Sequence, residues 1–147
     1  MLLLNNIIDN LVEHSSHLFE IEYDNNLNIP AMSILMIDNN NIYRNKIILN
    51  YNLIKNLSIN VIAHILAHEW GHHIYKHTHI NPQTLNKSQK KYFEIEADIY
   101  ACNFIKKYKY NINDIIEYIE NDKKKNYDLF YENNLFIIHR LNILNNN

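Results

Sequence analysis

The residues with the clearest capacity for chemistry lie in the string His68-Glu69-Trp70-Gly71-His72, an HExxH motif. Residues four apart share one face of a helix, so His68 and His72 project toward the same point and can bind one metal ion together. Zinc is the usual occupant of such a pair, at about 2.0–2.1 Å from each histidine nitrogen. Glu69 flanks the pair, where its carboxylate can take a proton from a zinc-bound water. The motif therefore predicts a zinc-dependent hydrolase.

A third protein ligand would complete such a site, and classes of zinc enzyme differ in its source. In a metzincin the positions 75 and 78 would be glycine and histidine, but they hold Tyr75 and Thr78, which excludes that class. A second helix offers Glu94, which can complete a His2Glu site and leave the fourth position to water. Asp98, four residues on, can accept the free ring N–H of a ligand histidine. Glu96 lies on the other side of this helix and is predicted to be solvated, and an ordinary charged helix face is the alternative for the Glu94–Asp98 pair.

Two segments, AHEWGHHI and FEIEADIYA, together resemble the ImmA/IrrE family of zinc metallopeptidases, in which HExxH is followed by a helix reading ExxA(N/D)xxA. The resemblance covers roughly residues 34–105. It implies that His68, His72 and Glu94 bind one zinc ion and that Glu69 is the general base. It also implies that Asp98 supports a ligand histidine, although many members have asparagine at that position. HtpX-like and other neutral zinc peptidases match less well, because they place more residues between the two motifs.

The resemblance also implies a function. Members of this family cleave regulatory proteins, so it implies a site-specific endopeptidase of the gluzincin type whose partner is a protein such as a helix-turn-helix repressor. A general neutral zinc peptidase of the HtpX-like type is one alternative, and a catalytically silent, zinc-stabilised binding module is the other. An open position on the metal would separate the two enzymes from the binding module. Exclusive cleavage of one folded partner would separate the specific enzyme from the general one.

Composition excludes several other classes of protein. The chain has 147 residues and a net charge of −2 with no basic stripe, which argues against nucleic-acid binding as the main activity. Cys102 is the sole cysteine, so no disulfide can form within the chain. The N-terminal residues lack the pattern of a signal peptide, and no apolar run is long enough to span a membrane. These features predict a cytoplasmic protein with one domain over residues 1–147.

Apolar periodicity predicts an α+β fold with a small antiparallel sheet and about five helices. The family resemblance implies that these elements form a minimal zincin-like domain. Ser58 is predicted to cap the HExxH helix, Ser88 the helix that carries Glu94, and Asn113 the helix after it. The predicted strands are Ala31–Ile37 and one or two strands within Ile42–Leu49. The predicted helices are 2–20, Ile59–His77, Gln89–Tyr108, Asn113–Glu120 and Tyr127–Leu144.

Small residues lie at matching places on the two motif helices. Gly71 is the only glycine of the chain. A glycine inside a helix costs about 1 kcal/mol relative to alanine, so its position predicts a close approach of backbone or substrate. Ala97 and Ala101 flank the face that carries Glu94. We therefore expect the two helices to pack closely enough for Glu94 to reach the metal.

Other polar residues near the motif have less defined roles. His64 is predicted to pack or hydrogen-bond, because a fourth protein ligand would leave no position for water. His73 is predicted to face solvent or to cap the helix. His77 and His79 suit the negative end of the helix dipole, and they could instead line the cleft or hold a second metal weakly. The candidate donors to the oxyanion of the reaction come from the C-terminal region: Tyr127, Tyr131, His139 and Arg140.

Overall fold

The structure is a computed structural model that describes residues 2–125, 140 and 142–145. It confirms the α+β class. No helix among these residues is both long enough and apolar enough to cross a membrane. The elements in chain order are α1 (Leu2–Ser15), β1 (Glu20–Tyr23), β2 (Ala31–Ile37), β3 (Tyr43–Leu49), α2 (Tyr51–Ile54), α3 (Ile59–Ile74), two 3-10 turns (His77–His79 and Pro82–Thr84), α4 (Lys87–Lys107) and α5 (Ile112–Lys125).

The sheet has three strands in the order β1-β3-β2. Strands β2 and β3 pair in antiparallel fashion, as predicted, and β2 has exactly the predicted bounds. Strand β1 was not predicted and pairs parallel to β3, so the sheet is mixed and not purely antiparallel. The first helix ends earlier than predicted because Ser16 adopts a left-handed backbone with φ 59°, which frees the following residues to form β1. Strand β2 is left at the edge of the described sheet.

Helix α3, which carries the HExxH motif, lies at the centre of the fold. The Ser58 side chain accepts a hydrogen bond from the backbone N–H of Val61, as the sequence predicts for a helix cap. Leu66 and Trp70 are completely buried, and the helix packs against α1, α4, α5 and β2. The helix ends at Ile74 and not at His77, because Lys76 takes a left-handed conformation. A motif on such a buried helix is held rigidly.

The caps of the next two helices differ from the predicted ones. Asn86, not Ser88, caps α4: its side chain accepts from the backbone N–H of Gln89 at 2.8 Å, and the Gln89 side chain accepts from the N–H of Asn86 at 2.9 Å. At the start of α5 the acceptor is Asn111 and not Asn113. Of the predicted helix Tyr127–Leu144, the described residues 140 and 142–144 are helical, and the remainder lies outside the described residues.

Gly71 lies at a close contact between α3 and α4. A Cβ atom on this residue would lie 3.1 Å from Cα and 3.2 Å from the backbone oxygen of Ala97, and 3.1 Å from Cβ of Tyr100. The predicted close approach of backbones is therefore confirmed. Ala97 and Ala101 are completely buried at this contact. The absence of a side chain at position 71 thus lets α4 lie close enough to α3 to bring Glu94 beside the two motif histidines.

Candidate metal centre and active-site cleft

Three side chains from α3 and α4 converge on one point. Nε2 of His68 lies 3.1 Å from Nε2 of His72 and 2.9 Å from Oε2 of Glu94, and Nε2 of His72 lies 3.4 Å from Oε1 of Glu94. Ligand atoms about 2.0 Å from a tetrahedral ion lie about 3.3 Å apart, which matches these separations. His68 is buried, while His72 and Glu94 are partly buried. The group can therefore hold one metal ion, and its donors are of the kinds that zinc binds.

The far side of His68 is held by a buried carboxylate. Its Nδ1–H donates to Oδ1 of Asp98 at 2.7 Å, and Nε of Arg140 donates to Oδ2 of the same carboxylate at 2.7 Å. Asp98 is 1 % exposed, so burial would raise its pKa, but the charges of Arg140 and His68 lower it. Asp98 therefore stays ionised and lies where a carboxylate can orient His68 toward a metal.

Protonation of the metal-free site follows from these contacts. Burial would lower the pKa of His68, but the charge of Asp98 and hydrogen bonds to Asp98 and Glu94 raise it to about 10. Burial would raise the pKa of Glu94, but hydrogen bonds from His68 and His72 hold it well below its usual value. At neutral pH the metal-free site thus pairs a protonated histidine with an ionised glutamate, and a metal ion would replace the proton on Nε2 of His68.

Glu69 lies on α3 directly after His68, and it lines the same cleft as the three convergent residues. Its carboxylate contacts the hydroxyl of Ser33 on β2, which is also 2.9 Å from the backbone oxygen of Glu69. Ser33 is not among the residues predicted from the sequence. The signal available was that Ser33 is the only polar residue in the strand AMSILMI. The contact ties the edge strand to the residue that the motif assigns as general base.

The other histidines take different positions. His64 is buried, and its Nε2 has no hydrogen-bond partner among the described residues; burial lowers its pKa to about 3, so it is a neutral packing residue. His73 was predicted to face solvent or to cap the helix, but it is buried, and its Nε2–H donates to the backbone oxygen of Lys46 at 2.7 Å, which ties α3 to β3. His79 is exposed, with its ring 5.9 Å from that of Tyr43.

His77 takes one of its two predicted roles, whereas Glu96 departs from expectation. His77 is buried and lines the cleft, with its Nδ1 2.9 Å from Nδ1 of His72. Glu96 was predicted to be solvated, but it is partly buried and accepts a hydrogen bond from Nε2 of His77 at 3.0 Å. Glu96 is not solvated because the turn that follows α3 brings His77 against it.

A cleft of about 930 Å³ runs past the three convergent residues. Residues 29–35, which include most of the edge strand β2, line it together with the apolar side chains of Ile80, Leu85 and Phe93. Arg140 also lines the cleft, whereas the other three candidate oxyanion donors, Tyr127, Tyr131 and His139, lie outside the described residues. The cleft is large enough for several residues of an extended peptide.

The comparisons with known proteins identify the family. The model of the Peptidase U49 family matches residues 6–126, a span that contains the HExxH motif, Glu94 and Asp98. No curated protein and no solved structure matches the chain significantly. The narrower ImmA/IrrE resemblance stays a prediction. Because the match covers well over half of its length, the chain belongs to the Peptidase U49 family of peptide-bond hydrolases.

Proposed function

We propose that residues 1–147 form one zinc-dependent endopeptidase domain, in which His68, His72 and Glu94 bind the ion and Glu69 is the general base. The observation that carries this proposal is the convergence of two imidazoles and a carboxylate beside Glu69, in an open cleft, in a member of a peptidase family. Three protein ligands suit a catalytic zinc, because they leave a position for water or substrate.

The chain's own residues then have defined tasks. A zinc ion in this site would polarise the scissile carbonyl and acidify a water molecule. Glu69 accepts the proton of the attacking water and passes it to the leaving amine. Asp98 holds His68 in orientation, and Arg140 neutralises Asp98 at 2.7 Å. Arg140 also lines the cleft, so it is the described candidate for stabilising the oxyanion.

The edge strand β2 is the proposed docking element for substrate. Among the described residues it pairs on one side only, with β3, and it lines the cleft next to the convergent side chains. An extended peptide can add to such an edge through backbone hydrogen bonds. This mode requires the substrate to be unfolded or extended locally, which fits a protease that cuts exposed segments of a folded partner.

The substrate is a protein or peptide, and the ImmA/IrrE resemblance favours one regulatory protein, such as a helix-turn-helix repressor. A general neutral peptidase remains the second candidate. Within the described part of the chain no side chain fills the space beside Glu69, which favours an enzyme over the catalytically silent binding module. Among the described residues, the metal-ligating group has three members and does not include His64.

A search for new protein termini by mass spectrometry tests this proposal. Host lysate is incubated with zinc-loaded protein and, separately, with the Glu69→Gln variant. We expect one or two cuts that occur only with the unmodified protein. Many cuts would support the general peptidase instead. A complete absence of cuts from protein that holds one zinc per chain would overturn the proposed enzyme.

Ser33→Ala should slow hydrolysis of the substrate found in this way without loss of zinc. The Ser33 hydroxyl contacts the Glu69 carboxylate, and a hydrogen bond to a charged group is worth about 1.5 kcal/mol, so we expect kcat/KM to fall about 10-fold. Ser33→Thr keeps a hydroxyl and should restore most of the rate. Ser88→Ala changes an exposed serine and is the matched control. An unchanged rate in Ser33→Ala would show that the contact does not position Glu69.

A further inference from the structure

The turn that follows α3 returns a histidine to the metal site. Lys76 adopts a left-handed backbone, with φ 57° and ψ 30°, and the 3-10 turn His77–His79 begins directly after it. A left-handed lysine is unfavourable by roughly 1–3 kcal/mol and persists only where its surroundings stabilise it. Here the reversal places His77 beside His72, which it could not reach if α3 continued.

The His77 ring is fixed by hydrogen bonds and by stacking on neighbouring rings. Its Nδ1 lies 2.9 Å from Nδ1 of His72, and its Nε2 lies 3.0 Å from Oε1 of Glu96. Its face stacks on Phe93, with ring centroids 4.1 Å apart and planes 7° from parallel. His77 is 7 % exposed, so water does not compete freely for its nitrogens. The Tyr75 ring also stacks with it, at a centroid distance of 5.8 Å. Both nitrogens therefore have polar partners as well, which is more than packing alone requires.

If His72 is a metal ligand, one arrangement of protons satisfies the hydrogen bonds that run from His72 through His77 to Glu96. Nε2 of His72 faces Glu94 and His68, so its lone pair serves the metal and its proton lies on Nδ1. That proton is donated to Nδ1 of His77, whose own proton then lies on Nε2. Glu96 can only accept, and it receives this second proton. Every donor in this series of hydrogen bonds then has an acceptor.

We propose that His77 and Glu96 are positioning residues for the metal site, which hold His72 in the tautomer and orientation of a ligand. Each ligand histidine would then have its own carboxylate. Asp98 serves His68 directly, and Glu96 serves His72 through His77. Such outer partners fix ring orientation and raise ligand basicity. The inference rests on the proposed metal site, and it gives two residues whose identity neither motif specifies a role in holding the ion.

Zinc affinity tests the inference without any need for a substrate. The dissociation constant for Zn²⁺ is measured by competition with a chromophoric chelator. His77→Phe keeps a ring that can stack on Phe93 but loses both hydrogen bonds, and we expect it to bind zinc about 10–100-fold more weakly. Glu96→Ala should also weaken binding. Glu96→Gln retains an oxygen that accepts from His77, so it should recover most of the lost affinity.

The double variant His77→Phe/Glu96→Ala distinguishes two cases. In a relay, Glu96 acts on His72 only through His77; otherwise the two residues contribute to zinc affinity independently. If Glu96 acts only through His77, Glu96→Ala should have no further effect on zinc affinity when His77 is already phenylalanine. His79→Phe changes an exposed histidine in the same turn and should bind zinc like the unmodified protein. Absorption of the Co²⁺-loaded proteins gives an independent readout, and the bands should shift in His77→Phe but not in His79→Phe.

The possible results distinguish this inference from the proposed function. Normal zinc affinity in His77→Phe, or fully additive effects in the double variant, would overturn the relay and leave the metal site intact. Failure of the unmodified protein to bind zinc would overturn both. If His77→Phe does not fold, the comparison of Glu96→Ala with Glu96→Gln decides, because a relay requires the glutamine to restore affinity and equal loss in both would contradict it.

Discussion

Glu69→Gln should abolish hydrolysis while the protein still binds one zinc ion per chain. The substitution keeps the shape of the side chain and removes its ability to accept a proton. General base catalysis contributes about 10²–10⁴-fold, so kcat should fall by at least about 100-fold. The measurement pairs initial rates on the substrate identified by its new termini with metal content from atomic absorption.

Measuring metal content together with the rate distinguishes loss of the general base from loss of the metal. Glu117→Gln removes a carboxylate from an exposed position on α5 and should have neither effect. Loss of zinc from Glu69→Gln would mean that Glu69 is a ligand and not the base. Retained activity would mean that another group accepts the proton, and the proposed mechanism would be wrong.

Glu94→Gln should release the metal. The Glu94 carboxylate lies 2.9 Å from Nε2 of His68 and 3.4 Å from Nε2 of His72, so it supplies the only anionic donor of the convergent group. Loss of a partner that merely orients a ligand costs about 10–100-fold in affinity, and loss of a ligand should cost more. We expect the dissociation constant for Zn²⁺ to rise more than about 100-fold, measured by chelator competition.

The same variant distinguishes metal binding from an ordinary charged helix face. On such a face, Glu94→Gln would leave zinc affinity unchanged, as we expect for Glu117→Gln. A further check is thermal unfolding with and without added zinc. A ligand that binds only the folded state raises Tm, so the rise seen with the unmodified protein should be absent in Glu94→Gln at the same zinc concentration.

The convergence of His68, His72 and Glu94 could be predicted from sequence because it depends on helix periodicity and on one helix–helix contact. Both histidines follow from a spacing of four residues on α3. The approach of α4 follows from small residues at the contact, Gly71 and Ala97. Each of these signals is local in the sequence, and the structure places the side chains accordingly.

The supporting contacts could not be predicted in the same way. The contact of Ser33 with Glu69 spans 36 residues and depends on which face of β2 meets α3. The contact of His77 with Glu96 depends on a left-handed residue, Lys76, that no propensity indicates. Strand β1 was missed because its short segment, EIEY, forms a strand only through pairing with β3. Tertiary contacts decide all three.

The close packing at Gly71 limits which versions of the motif this protein can use. In the general formula HExxH the two central positions are free, but here a Cβ atom at the second one would lie only 3.1–3.2 Å from backbone atoms of Ala97, so the backbone of α4 would have to give way. A larger residue would push α4 away from α3, and Glu94 would move with α4 away from His68 and His72. The geometry of the site thus depends on position 71 as well as on the ligands and the base, although position 71 takes no part in the chemistry.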